Sequence, residues 1–160
     1  MKLLLAMLVS ISLLGSCQFL EHNKTTHKFD AYPVNHIDHN KYAEIDFKSN
    51  TKSSQYRTVL AEAYKAEQAN FSGHYSFIFF GCGTSCQMGM VIDRKTGQVY
   101  DAPIASLGYD FQVSSNLLII NPKDNNDDDL DCDYCEPQFY IFDEGSKSFI
   151  PVKDLSKSGV

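Results

Sequence analysis

The chain has 160 residues, 14 Lys and Arg against 20 Asp and Glu, five Cys and no Trp. That length suits one domain with a single small core. The balance is acidic and no basic stripe occurs, which argues against nucleic acid as a partner.

Met1-Lys2 is a short positive start, and Leu3 to Leu14 is an apolar run of about a dozen residues. This is the length of a signal h-region and short of the ~20 residues that span a bilayer. Gly15-Ser16 then precedes Cys17, and small residues before a Cys at this point resemble the lipobox of bacterial lipoproteins. The resemblance implies a lipoprotein signal peptide over residues 1–16 and lipidation of Cys17, the first residue of the mature chain. An ordinary signal peptide with a chance Cys is the rival, and it lacks an Ala-x-Ala site. Gln18, where Asp would retain such a protein, points by the same resemblance to the outer membrane, facing the periplasm. Each buried CH₂ of an acyl chain contributes about 0.8 kcal/mol, so a multiply acylated Cys17 anchors firmly to its membrane partner. Residues 17–31 are polar without a period and read as a tether. Residues 32–160 read as a single globular domain.

Tyr42 to Phe47 alternates and predicts a short strand. His36, Asp38 and His39 cluster in sequence, and solvated loop residues are the better reading than a metal site. Ser53 to Gln68 predicts one amphipathic helix: Tyr56, Val59, Leu60, Ala63 and Tyr64 make an apolar stripe, with Ser53 or Ser54 as cap and Asn70 and Gly73 just past the end. Phe77 to Phe80 is a continuous apolar run that suits a strand buried on both faces. It enters Gly81-Cys82-Gly83-Thr84-Ser85-Cys86, whose glycines let the chain turn sharply. Met88 to Ile92 returns, Asp93 to Gly97 is a turn signal, and Gln98 to Tyr100 begins a third strand. Short strands are also expected at Phe111–Val113, around Leu117–Ile120, at Gln138–Phe142 and at Ser148–Val152. The last two are joined by the turn Asp143-Glu144-Gly145-Ser146.

Asn70-Phe71-Ser72-Gly73-His74-Tyr75, then Gly81-Cys82-Gly83-Thr84-Ser85-Cys86-Gln87, then Asp93 and Thr96-Gly97-Gln98-Val99-Tyr100 resemble a family of small exported bacterial proteins of unassigned function. The similarity covers roughly residues 56–122. It implies membership and carries no activity, because none is assigned to that family.

Apart from Cys17, four Cys remain: Cys82, Cys86, Cys132 and Cys135. In an exported chain an even number suggests two disulfides, expected as Cys82–Cys86 and Cys132–Cys135, with cross-pairing of the two loops as the alternative. A Cys₄ zinc site has suitable spacing but fits an oxidising compartment poorly. A nest of backbone N–H groups around Gly81–Ser85 is a further reading. A thiol nucleophile at Cys82 or Cys86 would need His74 as its base, since all five His lie upstream of Cys86. Seven acids lie between Asp124 and Glu136. Asp127, Asp129, Asp131, Asp133 and Glu136 approach an EF-hand register, but Leu130 stands where Gly is required and the flanks read as strands, so only a looser calcium site or a solvated acidic loop fits.

The reading is an α+β domain: a mostly antiparallel sheet of about five to seven strands with one packed helix. The expected function is a non-enzymatic envelope lipoprotein that binds a protein partner, inhibitor- or immunity-like by analogy only. No cofactor is expected unless the acidic segment takes calcium. The alternatives are an envelope hydrolase or thiol enzyme using His74 with Cys82 or Cys86, and a calcium-binding module.

Overall fold

The computed structural model describes residues 28–40, 42–123 and 135–152. In chain order its main elements are α1 (Arg57–Ala66), β1 (Tyr75–Gly83), β2 (Cys86–Asp93), β3 (Val99–Asp101), β4 (Tyr109–Phe111), β5 (Leu117–Ile120), β6 (Gln138–Asp143) and β7 (Ser148–Pro151). All neighbouring strands are antiparallel, and they form two sheets, β1-β2-β3 and β4-β5-β6-β7. The single central sheet expected from sequence is thus corrected to two. The break follows from the chain after β3. Ala102 N donates to Gly89 O, and Ala105 exchanges both backbone hydrogen bonds with Gln87, so this segment folds back along β2 before β4 begins.

The two sheets explain the unbroken apolar runs. In a strand, successive side chains point to opposite faces, so a run that is apolar at every position needs cover on both. Phe77 and Val91 face Leu118, Ile120 and Phe142 in a core that also takes in Phe71 and Tyr75. On the other side of β1 and β2, Ile78, Met90 and Ile92 cluster with Leu60 and Tyr64 of α1. On the outer side of β5, Leu117 and Ile119 meet Phe139 and Phe29. Phe29 falls within the segment read as a tether and is buried, so the packed region begins no later than that residue. Cover on both faces fails at the far end of β1, where Phe79 is 45% exposed against the sequence expectation.

Two local expectations are also corrected. α1 begins at Arg57 without a side-chain cap. Ser53 and Ser54 instead turn their hydroxyls back, to Asn50 O at 2.7 Å and Phe47 O at 2.8 Å, and so stabilise the turns before the helix. Tyr42 to Phe47 joins no sheet. It is a strap across the β2–β3 turn: Ala43 N donates to Arg94 O and Asp46 N to Gly97 O, each at 2.8 Å. Gly97 has φ +80°, and a Cβ there would lie 1.9 Å from Glu44 O. Gly97→Ala therefore meets both a disfavoured backbone angle and the strap. It should cost more than about 1 kcal/mol in urea unfolding; an unchanged midpoint would contradict the close approach.

Candidate functional site

The segment 70–75 builds a tight loop before β1. Phe71 and Tyr75 exchange backbone hydrogen bonds at 3.0 and 3.1 Å, with Ser72 and Gly73 at positive φ between them. Gly73 N donates to Val113 O at 2.7 Å, and a Cβ on Gly73 would come within 2.5 Å of His36 O. This wedges the loop between sheets and sets His74 beside the foot of the β1–β2 hairpin, where Tyr75 pairs with Asp93.

His74 is buried, 8% exposed at its side chain, and lies between two carboxylates. Its Nε2 is 3.4 Å from Asp93 Oδ1, and its Nδ1 is 3.9 Å from Glu144 Oε1 in the β6–β7 turn. Arg94, also buried, donates to Ser76 Oγ and lays its guanidinium 4.2 Å from the Tyr64 ring centroid and 5.3 Å from that of Tyr42. Its Nε is buried and has no hydrogen-bond partner among the described residues; the two rings offset part of that cost through cation–π attraction. Lys147 Nζ donates to Tyr75 Oη, a second link from the β6–β7 turn to β1.

Burial pushes the Asp93 carboxyl up, but the His74 contact and the Lys95 N–H outweigh it and lower its pKa to about 2. Burial, with Glu144 nearby, pushes the Tyr75 phenol up, so that hydroxyl keeps its proton. The cluster has acid–base parts in a closed setting. The His74 and Tyr75 rings lie tilted against each other with centroids 4.1 Å apart, and Ser76 is fully buried with its oxygen accepting from Arg94. Its evident work is to tie the two sheets together.

Cys82 and Cys86 stand at the opposite end of the hairpin and are bonded to each other, with Cα atoms 5.2 Å apart. This excludes cross-pairing of the two loops and a zinc site made of all four thiolates. It also leaves neither sulfur as a free thiol in this structure. Seven residue steps along β1 lead from Tyr75 to Cys82, or roughly 23 Å, so His74 lies far from either sulfur. Cys135 is disulfide-bonded as well. Its expected partner Cys132 lies outside the described residues, as do Cys17, Asp127, Asp129, Asp131 and Asp133. Glu136 is exposed, and its carboxylate lies 3.5 Å from Lys123 Nζ.

The disulfide end presents apolar surface instead. Phe79 is 45% exposed, with the rings of Tyr109 and Phe111 at 5.4 and 6.4 Å. The Tyr109 hydroxyl lies 2.8 Å from both Gln87 O and Pro103 O, which holds the 102–108 segment against β2. That segment carries Ile104, 60% exposed, and Leu107, 37% exposed. Sequence reasoning singled out His74 but not Asp93, Arg94 or Glu144 around it. Asp93 looked like a turn residue, and only the hairpin register places it beside His74. Asn70 and Phe79 likewise carry the local signals of a helix stop and a buried strand residue. Comparison with family models, with curated proteins and with solved structures found no match.

The depressed Asp93 pKa gives a signed pH dependence. The fold favours the ionised carboxylate, so its contribution is complete above the ordinary value of 3.8 and is lost as pH falls through about 2. Acid unfolding of Asp93→Asn should therefore show a shallower loss of stability over that window than the parent. Parallel curves would contradict the His74–Asp93 coupling.

Proposed function

We propose that this chain is a lipid-tethered interaction domain of the bacterial envelope, held to the outer membrane through Cys17. It binds a protein partner at the disulfide end, where Phe79, Ile104 and Leu107 are exposed. The observation that carries the reading is Phe79: a large apolar side chain on the outermost strand, left uncovered beside Tyr109 although Tyr75 and Phe77 before it on the same face are buried. Scattered exposed apolar residues are ordinary, but three at one end beside a pinned turn are a candidate contact surface. The closed His74 cluster and the bonded Cys82–Cys86 pair favour binding over catalysis. Membership in the family of small exported proteins whose motifs the 70–100 segment resembles is part of the same proposal. In that setting the loop motif serves to build the domain that presents the contact surface.

Two experiments test the reading. Cys17→Ser should abolish acyl labelling and leave the precursor unprocessed; continued labelling would remove the anchor. A photo-crosslinking residue at Phe79 or Ile104 should give discrete adducts in intact envelopes, while one at Glu62 on α1 should not. Equal adducts at all three positions, or none at Phe79 and Ile104, would contradict the assigned surface.

A further inference from the structure

The outermost strand of a sheet carries a row of backbone N–H and C=O groups that another strand can pair with. β1 is outermost in its sheet. The far side of β2 determines which β1 residues point outward. Gly89 O accepts from Ala102 N at 3.0 Å, and Gln87 exchanges hydrogen bonds with Ala105 at 2.8 and 3.0 Å, so the backbone groups of Gly89 and Gln87 turn away from β1. Their register partners are Phe79 and Gly81. These are non-hydrogen-bonded antiparallel pairs, in which the N–H and C=O of Phe79 and Gly81 face away from β2.

The same parity runs back along β1 to Phe77 and Tyr75, and there the edge is closed. Tyr75 is paired by Phe71. Phe77 N donates to Asn70 Oδ1 at 2.7 Å, while Asn70 Nδ2 donates to Phe77 O at 3.1 Å. A carboxamide has the same donor and acceptor as a peptide group, so the Asn70 side chain occupies the place of one rung of an added strand. Beyond it the imitation stops. Among the described residues none pairs with the outward groups of Phe79 and Gly81. Both are exposed, and a Cβ built on Gly81 meets nothing within 4 Å.

Side chains complete the description of the occupant. The residue opposite Phe79 on an added strand would place its side chain on the same face, beside the Phe79 ring. At the Phe77 end, the exposed Glu67 carboxylate accepts from Asn70 Nδ2 at 2.9 Å and makes that end of the edge negative. That carboxylate favours a basic side chain at the matching end of the partner segment.

We propose that the Phe79–Gly81 edge is a strand-addition site for an extended segment of a protein partner, apolar opposite Phe79 and basic at the end that reaches Glu67. The inference rests on the interaction surface proposed above and adds the mode of contact. Main-chain hydrogen bonds supply affinity in this mode, and alternate side chains supply specificity.

The probe is the capped peptide Lys-Val-Thr-Val-Thr-Val, added to the full chain in detergent, with amide hydrogen exchange as readout. Exchange at Phe79 and Gly81 should slow about tenfold once the peptide stands near ten times its Kd, with Ile78 and Phe80 unchanged. Gly81→Pro deletes an N–H that pairs with none of the described residues, and should abolish the effect. Asn70→Ala opens the Phe77 rung and should extend protection to Phe77. No slowing at millimolar peptide, or slowing that survives Gly81→Pro, overturns the proposal. So does protection that needs no peptide and rises with protein concentration, which would assign the edge to a second copy. If the strand mode fails while crosslinks at Phe79 persist, the contact surface stands without it; loss of the crosslinks removes both.

Discussion

Phe71 sits fully buried between the two sheets, its ring edge-on to Phe77 and Phe111 and against Phe142 and Phe149. Aromatic contacts of this kind contribute about 0.5–1.5 kcal/mol each beyond the area they bury. What places the ring there is backbone. Ser72 and Gly73 take positive φ, the loop closes on Tyr75, and Gly73 N is held by Val113 O from the β4–β5 connection. Asp38 N reaches Gly73 O from the other side. One six-residue loop thus binds the 36–38 segment, the three-stranded sheet and the four-stranded sheet to each other.

The polar cluster around His74 follows from that closure. Once the loop is wedged, His74 falls between a turn of each sheet, with Asp93 on one side and Glu144 on the other. Lys147 and Tyr75 repeat the link a residue away. Buried polar groups are costly unless paired; His74–Asp93 and Arg94–Ser76 pair at the foot of the β1–β2 hairpin, while His74–Glu144 and Lys147–Tyr75 cross to the β6–β7 turn and favour the closed arrangement. Asn70 extends the same logic to the strand edge, satisfying Phe77 where no strand of the described residues lies beside it. The loop therefore determines where the edge of β1 is covered and where it becomes open.

The strands were legible wherever local chemistry decides. The Asp93–Gly97 turn fits its signal closely: Gly97 N donates to Asp93 O, Lys95 N donates to the Asp93 carboxylate, and Gly97 takes positive φ. The Cys82–Cys86 pairing follows from spacing across a turn. The split into two sheets was not legible. Phe77–Ile78 and Leu117–Ile120 show that both faces are buried, but not by what, because cover comes from residues distant in sequence. Asn70 carries the signal of a helix stop, and its capping of Phe77 appears only when the chain has turned back on itself. Ser53 and Ser54 differ for the opposite reason: their local signal is a helix cap, and a competing turn at 47–50 takes their hydroxyls.

The central claim is that the Phe71 loop makes the two sheets one cooperative unit. Native-state hydrogen exchange at Val91 in the centre of one sheet and Leu118 in the other tests it directly. Both amides should report one opening free energy, and Phe71→Leu should lower both equally, by about 1–2 kcal/mol. Different opening energies for the two sheets, or a loss confined to one of them, would contradict the account.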